Sequence, residues 1–288
     1  MTMKRLINKD SVTVIVHGGS FHADDVACVA LLKLVHKEVK VLRKFKVIPE
    51  FDEADYILDI GKTDIVSDSK IVLDHHQGPE LIAGTEIRHC AFSKLVEHML
   101  PEDTIFKKFF FKNLVLPISA QDNGQNGAEL GLMPNPLSFV DSMFLSWKDD
   151  RKLTDQRFNE VAEMAMVVIR NIVKCINDKV EAITIVTAAA EKAENGIMTM
   201  DQFLPWVDTV VDHNAGLPKI QLVVFPNNRG EITVQVIPKK AGSFESWVKI
   251  PESIVAFEGC IGQAHGAFAF FDNMDHAVAA AKQIIKNA

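Results

Sequence analysis

Residues 12–37 read VTVIVHGGSFHADDVACVALLKLVHK and set the fold of the first part of the chain. Val12 to Val16 is a β-branched run of strand length, and the glycine-rich turn His17 to Ser20 follows it. From Val26 onward, apolar residues recur at helical spacing. A strand, a glycine turn and a helix in this order predict a βαβ unit, and hence an α/β domain with a mainly parallel sheet flanked by helices.

Two aspartates, Asp24 and Asp25, fall at the predicted start of that helix. Acidic groups at this position suit the helix dipole and the free backbone N–H groups, so helix capping is one interpretation of them. Capping needs only one carboxylate, and it leaves the nearby His17 and His22 unexplained.

Two later apolar runs also end in polar residues. Residues 55–61 read DYILDIG, with Asp59 at the end of the run, and Ile71 to Leu73 leads directly into Asp74-His75-His76-Gln77. A carboxylate in an apolar run is costly to bury unless it is paired or binds a cation. Polar residues at the carboxyl ends of strands face the crevice where open α/β sheets bind ligands. A solvated loop that holds two histidines is the alternative interpretation of the tetrapeptide alone.

The segments between and after these runs are mostly weaker signals. Short strand patterns occur at 39–42 and 46–48, a helix is predicted over 90–100, and the aromatic run 106–116 predicts a buried helix. That run leads to Asp122-Asn123-Gly124, which is typical of a turn.

The composition of the chain changes near residue 196. Residues 154–195 are helical in pattern, and Asn195-Gly196 is a natural helix stop. Residues 220–225 and 231–237 then predict a β-hairpin, and 275–288 a final amphipathic helix. We therefore predict a catalytic domain over 1–196 and a smaller α+β substrate-binding domain over 197–288.

Composition and charge narrow the class of protein. The net charge of −7 over 288 residues argues against general electrostatic capture of long duplex nucleic acid. The four cysteines are widely spread with no CxxC pair, which indicates reduced thiols rather than a disulfide framework or a zinc site. There is no apolar leader at the N-terminus and no apolar run of about eighteen residues. We therefore expect a soluble, cytoplasmic protein with no membrane partner; the oligomeric state stays open, a homodimer included.

The unexplained polar residues share one chemistry. They are His17, His22, Asp24, Asp59, His75 and Asp122, with Asp74 and His76 beside them. Imidazole nitrogens and carboxylate oxygens together suit divalent transition metals such as manganese, zinc or iron. Six candidate ligands exceed the need of one tetrahedral ion and suit two ions that share a carboxylate, as in sites for attack of water at phosphorus.

The order of these motifs also resembles a known family. The pattern HxGxFHxDD from His17 to Asp25, then Asp59, then DHHQ, then Asp122-Asn123-Gly124 resembles the DHH phosphoesterase superfamily. Within it, the first 125 residues or so are most similar to the melanocyte-proliferating-gene family of metal-dependent hydrolases and exonucleases. The resemblance implies two Mn²⁺ ions, with Mg²⁺ or another divalent metal as alternatives.

The resemblance also implies a role for each residue. One ion would be held by His17, His22 and Asp59, and the second by Asp24, Asp59, His75 and Asp122. Asp74 would orient His75, and His76 would face the substrate phosphate as a donor or general acid. Asp25 would either position the attacking water or cap the helix, and the cap is slightly favoured.

The C-terminal part resembles the family more loosely. In the family a smaller domain supplies phosphate-binding residues, and an arginine usually lies near the position that is Trp247 here. Trp247 would then either stack on a base or pack in the core. The candidate substrate contacts are His265 and Gly266 in a glycine-rich turn, together with Lys249 and Arg229.

The residues themselves support two metals and a phosphoryl substrate, and the resemblance adds the exonuclease assignment. We therefore predict a metal-dependent phosphodiesterase that acts on RNA or short oligonucleotides. A phosphatase or pyrophosphatase for a small phosphate ester is the alternative. A non-catalytic, metal-binding regulatory protein is a third hypothesis, and the complete ligand set argues against it.

Overall fold

The computed structural model describes residues 3–49, 52–214 and 219–288. The chain divides into two compact units, Met1–Asn177 and Asp178–Ala288. The class is mixed α/β, with one five-stranded sheet in each unit and helices packed on both sheets.

The sheet of the first unit is built from the apolar runs that the sequence predicts. Its strands run in the order β2-β1-β3-β5-β4. All neighbouring pairs are parallel except β5 with β4. The strands are β1 (Ser11–His17), β2 (Glu38–Lys44), β3 (Tyr56–Leu58), β4 (Ile65–Val66) and β5 (Ile71–Leu73). Since β1, β3 and β5 are parallel, their carboxyl ends lie at one edge of this sheet.

Helix α1 (Ala23–Val35) covers this sheet and is apolar nearly all round. Its residues from Val26 to Leu32 are fully buried, as expected for a helix enclosed by a sheet and other helices. Strand residues Ile15, Ile57 and Val72 pack together in a core cluster on the sheet. The rigid core therefore lies directly beneath the edge at which the predicted site residues emerge.

The remaining helices of the first unit refine two predictions. The expected helix over 106–116 is instead α3 (Ile105–Phe110), a π-helical stretch (Phe111–Val115) and α4 (Leu116–Asp122). Asp122 is thus the last helical residue, and the predicted turn begins one residue later with Asn123 and Gly124 (φ 63°). Helix α2 (Ala91–Met99) lies where it was predicted. The weak strand signal at 46–48 was wrong, because these residues pair with no strand in the described part of the chain.

Helix α5 (Thr154–Glu191) is continuous across the boundary between the units. Its last third carries Val186 and Ala190, which pack in a core cluster of the second unit with Met198 and Trp206. The boundary between the compact units is therefore at 177/178, whereas the composition of the sequence placed it near residue 196. The helix ends at Glu191, near the predicted boundary, but the apolar residues of its last third already pack in the core of the second unit.

The second unit has a mixed sheet in the order β6-β7-β8-β10-β9. Its elements are β6 (Ile197–Thr199), α6 (Val207–Asn214), β7 (Leu222–Pro226), β8 (Ile232–Val236), β9 (Cys260–Ala264), β10 (Phe268–Phe271) and α7 (Met274–Asn287). The predicted hairpin is confirmed by the antiparallel pairing of β7 with β8. The predicted final helix is confirmed by α7, whose alanines pack on this sheet. Among the described helices, none has both the length and the apolarity to cross a bilayer.

Candidate metal centre

The sheet edge of the first unit brings together side chains that are far apart in sequence. His17 ends β1, Asp59 follows β3, and His75 lies two residues after β5. Asp24 comes from the first turn of α1 and Asp122 from the last turn of α4. The site is thus formed where the ends of three strands, the start of α1 and the end of α4 come together, as the positions of the motifs predict.

Asp59 lies at the middle of this cluster. Its two carboxylate oxygens are divided between two histidines: Oδ2 is 3.1 Å from Nδ1 of His17 and Oδ1 is 3.2 Å from Nε2 of His75. Its backbone adopts φ 59°, the left-handed region that few residues other than glycine occupy. Its N–H donates to the carbonyl of Leu73 at 3.0 Å, which secures that conformation. In this conformation the carboxylate lies between the two histidines.

The two aspartates of α1, Asp24 and Asp25, have different contacts. Oδ1 of Asp25 accepts a hydrogen bond from the backbone N–H of His22 at 3.0 Å, so Asp25 is the capping residue. Its other oxygen lies 3.1 Å from Nδ1 of His17. Asp24 is fully buried, and neither of its oxygens has a hydrogen-bond partner among the described residues. Capping therefore explains Asp25 and leaves Asp24 for the site.

Burial and mutual repulsion shift the pKa values of the carboxyl groups in this cluster. Burial raises the pKa of Asp24 well above its ordinary value, and the carboxylates of Asp59 and Asp122 add to that shift. Burial also raises the pKa of Asp122. Burial acts in the same direction on Asp59, but contacts with His17 and His75 outweigh it and lower the pKa of Asp59 to about 2.

Burial and neighbouring charges also act in opposite directions on the pKa of His17. Burial alone would lower its pKa, but the adjacent carboxylates of Asp25 and Asp59 raise it to about 10. The pKa of His75 is raised by Asp59 and Asp122 against the effect of burial. The histidines and the carboxylates of this cluster thus shift each other's pKa values towards the charged forms.

The unpaired atoms test whether a metal fits here. In the described part of the chain, the buried polar atoms without a hydrogen-bond partner include His17 Nδ1, both oxygens of Asp24, Asp25 Oδ2, Asp59 Oδ1 and Asp122 Oδ2. A buried polar atom without a partner costs free energy, and several in one place call for a bound ion. Nitrogen and carboxylate oxygen donors suit divalent transition metals. The residues present therefore fit a metal centre.

Three overlapping groups have ligand atoms within 4.8 Å of one another. The groups are His17, His22 and Asp59; Asp59, His75 and His76; and His22, Asp24 and Asp122. The first coincides with the set predicted for one ion. The set predicted for the second ion is divided between the other two groups, with His75 Nε2 3.3 Å from Asp122 Oδ2 as a link between them.

The predicted role of Asp74 needs correction. Its carboxylate was expected to orient His75, but its Oδ1 lies 2.6 Å from Nδ1 of His76. Its Oδ2 accepts a hydrogen bond from the backbone N–H of Lys62 at 2.7 Å. The imidazole of His75 instead faces Asp59 and Asp122. Beyond the end of β5 the chain leaves the strand alternation, so residue order there does not predict which neighbours share a side.

One supporting group was missed from the sequence. Lys94, on the buried face of α2, donates to the backbone carbonyl of Asp74 at 2.8 Å and to Asp64 Oδ2 at 2.7 Å. Asp64 Oδ1 in turn accepts from the backbone N–H of Asp74 at 3.0 Å. The signal was available, since Lys94 is a charged residue among the apolar positions of a predicted helix. Together these contacts fix the loop that carries the two histidines.

The sequence model of MYG1_exonuc, the Uncharacterised protein family (UPF0160), matches residues 13–260. The chain belongs to this family. The resemblance to the melanocyte-proliferating-gene family, drawn from the HxGxFHxDD and DHHQ motifs, is thereby confirmed. The match includes every residue of the candidate metal centre.

Two curated yeast proteins are similar to this family member. MYG1 protein C694.04c of Schizosaccharomyces pombe is 25% identical over 236 residues, with 70% of each chain covered. MYG1 protein YER156C of Saccharomyces cerevisiae is 22% identical over 293 residues, with 87% of this chain and 85% of the yeast protein covered.

Two solved structures show a weaker likeness. The Mn²⁺ complex of RecJ from Thermus thermophilus has a TM-score of 0.33 at 12% identity, and the match covers 96% of this chain and 52% of RecJ. An uncharacterized protein from Helicobacter pylori has a TM-score of 0.25 at 10% identity, with 96% and 99% covered. This chain thus spans about half of the RecJ chain, and both TM-scores are too low to establish a shared fold.

The candidate contacts in the second unit of this MYG1-family protein do not form one group. His265 (φ 54°) and Gly266 (φ 64°) make the turn between β9 and β10, and the carbonyl of Gly266 accepts from the N–H of Ile250, next to Lys249. Arg229 lies in the turn between β7 and β8. Because β8 and β10 are antiparallel, with Ile232 opposite Phe271 and Gln235 opposite Phe268, Arg229 is at the other end of the pair.

Trp247 is half-buried and packs against the core cluster that contains Trp206. The ammonium of Lys239 lies 5.3 Å from the centroid of its ring. The core-packing interpretation of Trp247 therefore has contacts in its favour within the second unit.

Proposed function

We propose that this protein is a metal-dependent phosphohydrolase, and specifically a phosphodiesterase that removes nucleotides from the ends of RNA or short oligonucleotides. One observation carries the proposal: the buried carboxylates of Asp24, Asp59 and Asp122 converge beside His17 and His75 with oxygens that no hydrogen bond satisfies. Buried carboxylates grouped this closely favour the binding of cations.

The donor set supports two cations rather than one. His17, His22 and Asp59 would hold the first, and Asp24, Asp122 and His75 would hold the second, with Asp59 between them. Manganese is our choice of metal, because mixed imidazole and carboxylate donors suit it, with magnesium as the alternative. When bound, two such ions lower the pKa of a water and stabilise negative charge on phosphoryl oxygens.

Contacts between side chains hold the residues of the site in position. Asp25 is held by the start of α1 and positions the His17 ring through the 3.1 Å contact to Nδ1. The left-handed conformation of Asp59 presents one oxygen to each side of the cluster. Asp74 holds Nδ1 of His76, which leaves the Nε2 of that half-exposed ring available to a substrate phosphate. His76 is therefore the residue we place on the leaving oxygen as a donor.

The cavity over the cluster is small and open. Its volume is about 380 Å³, and Lys44 and Lys62 are among the residues that line it. A phosphate group with one neighbouring nucleotide suits this space better than the middle of a duplex. Membership of the MYG1_exonuc family supports an exonuclease, and the net charge of −7 is consistent with capture of chain ends rather than of long duplexes.

The test uses the full chain, freed of metal with EDTA and then reloaded with Mn²⁺ or Mg²⁺. The substrates are labelled oligoribonucleotides and oligodeoxyribonucleotides of matched sequence, beside pyrophosphate and nucleoside monophosphates. We expect metal-dependent shortening of the oligonucleotides from one end. Cleavage of the small substrates alone would replace this proposal with the phosphatase alternative, and binding of metal without cleavage of any substrate would leave a regulatory metal protein.

A further inference from the structure

We propose that a second cavity, beside the metal centre of the first unit, binds one nucleotide through base stacking and phosphate contacts. It lies on the other side of Phe45 from the metal centre and has a volume of about 760 Å³. The choice of a nucleotide rests on the proposed phosphodiesterase function. The site itself rests on the residues that line the cavity.

The second cavity adjoins the cavity over the metal centre. Gly18 and Phe45 line both cavities, and Gly18 directly follows His17. A Cβ atom at Gly18 would lie 3.3 Å from two atoms of the Phe45 ring, so this glycine lets the ring lie against the turn. A substrate whose phosphate is at the metal centre can therefore extend past Phe45 into the second cavity.

The walls of the second cavity carry excess positive charge. Arg43, Arg151 and Lys152 line it, with Asp155 as the acidic residue among the lining side chains. Arg43 and Asp155 are 3.4 Å apart at their nearest charged atoms. Among the residues that the structure describes, no carboxylate lies within ion-pair distance of Arg151 or Lys152. These two exposed cations are therefore available to a phosphate.

The Arg43 side chain is buried and is held by neighbouring groups. Only 2% of its side chain is exposed, and its guanidinium carbon lies 4.8 Å from the Phe158 ring centroid and 5.6 Å from that of Phe21. One terminal nitrogen donates to the carbonyl of Gly19 at 2.8 Å, while its Nε has no hydrogen-bond partner in the described chain. Arg43 therefore adds a fixed positive charge to the wall of the second cavity.

Phe45 provides a surface on which the base of a nucleotide can stack. Phe45 is 81% exposed and directly follows Lys44, the last residue of β2. An exposed aromatic ring beside cationic side chains is the arrangement by which proteins stack on single-stranded bases. A cavity of this size accommodates a nucleoside monophosphate. The ligand class is therefore a nucleotide, with its base on Phe45 and its phosphate towards Arg151 and Lys152.

The test is equilibrium binding to the full chain in EDTA, so that no hydrolysis is needed. Calorimetric titrations compare adenosine monophosphate, ribose 5-phosphate, inorganic phosphate and adenosine. We expect the nucleotide to bind at least about fivefold more tightly than ribose 5-phosphate, which lacks the base. Phe45→Ala should remove that difference. A double substitution, Arg151→Ala with Lys152→Ala, should weaken nucleotide binding about tenfold or more and reduce its dependence on salt.

Lys148→Ala is the matched control, because Lys148 is an exposed cation close in sequence that does not line the cavity. We expect this variant to bind the nucleotide as tightly as the wild type does. Equal affinities for the nucleotide in wild type and double variant, or no advantage of the nucleotide over ribose 5-phosphate, would overturn the inference. If the wild type binds as expected but cleaves no phosphoester, the proposed function fails and the nucleotide site stands. If it cleaves oligonucleotides but the variants bind unchanged, only the site fails.

Discussion

The Oδ1 atom of Asp74 lies 2.6 Å from Nδ1 of His76, its neighbour two positions along the chain. The same oxygen accepts the backbone N–H of His76 at 3.0 Å, so the pair forms a tight local turn. The two adjacent histidines therefore have different surroundings. His75 is directed into the cluster of buried carboxylates, and His76 is fixed at the cavity with half of its side chain exposed.

The first prediction concerns His76→Ala. We expect turnover to fall about a hundredfold, as for loss of a general acid, while bound metal measured by atomic emission stays at the wild-type amount. His75→Ala is the comparison variant and should lose both metal and activity. His76 also belongs to a possible ligand group with Asp59 and His75. A parallel loss of metal in His76→Ala would therefore show that it is a ligand and not a donor.

The second prediction concerns Asp24→Asn, which replaces a buried ionisable carboxyl with a neutral amide of the same shape. In EDTA we expect the variant to be more stable than wild type by about 1 kcal/mol or more, because wild-type Asp24 must either bury an unpaired charge or take up a proton on folding. In Mn²⁺ the order should reverse. Thermal unfolding in both conditions measures this, with exposed Asp68→Asn as the control. A variant less stable than wild type in EDTA would contradict the prediction.

The third prediction concerns Tyr56, the one tyrosine of the chain. Its side chain is fully buried, and burial raises its pKa to about 12, although a hydrogen bond from the Ile7 N–H opposes the shift. An absorbance titration should show no phenolate in the folded protein near pH 10, the ordinary pKa of tyrosine. The same titration in concentrated urea should show half ionisation there. Phenolate at pH 10 without loss of ellipticity would disprove the buried position.

The fourth prediction concerns His36, which lies against Tyr56 in the same core. Its Nδ1 is 2.8 Å from the carbonyl of Lys9, so this nitrogen carries the proton and Nε2 accepts from the Tyr56 hydroxyl at 3.1 Å. Burial lowers the pKa of His36 below its ordinary value of 6.5. The unfolded chain therefore takes up the proton first, and the contribution of neutral His36 to stability is lost as the pH falls below 6.5.

The variant His36→Gln tests this sign. At pH 7.5 we expect it to be less stable than wild type by about 1 to 2 kcal/mol, because two buried hydrogen bonds are disturbed. The difference should shrink at pH 5, since only the wild type loses stability by protonation of this residue. Urea unfolding at both pH values measures it. The exposed His98→Gln is the control, and a gap that widens at pH 5 would contradict the direction of the shift.

The fold of the first unit follows from local patterns where those patterns are strong. The runs that became β1, β3 and β5 are continuous and apolar because both faces of a parallel sheet are covered. Three of the candidate metal ligands, His17, Asp59 and His75, could be predicted because each lies where such a run stops. The topology that joins these strands in one sheet then brings His17, Asp59 and His75 together without further information.

The features that escaped prediction depend on contacts between distant residues. The left-handed backbone of Asp59 is accompanied by a hydrogen bond to Leu73, and the position of Asp74 beside His76 by hydrogen bonds from Lys62 and Lys94. The nucleotide cavity joins Phe45 with residues about a hundred positions later in the chain. The π-helical stretch before α4 has no signature in the sequence that we can identify. Lys94 was detectable, because a charged residue among apolar helix positions needs a partner.

The ligands of the candidate centre span the chain from His17 to Asp122 and come from five different elements of the first unit. An unfolded chain cannot hold these groups near each other, so a cation would bind the native state alone. Bound metal then adds RT ln(1 + [M]/Kd) to the free energy of unfolding, about 2.7 kcal/mol when the free metal is a hundredfold above its dissociation constant. Release of metal would therefore report on the integrity of the whole first unit, and metal supply would set how long that unit survives proteolysis.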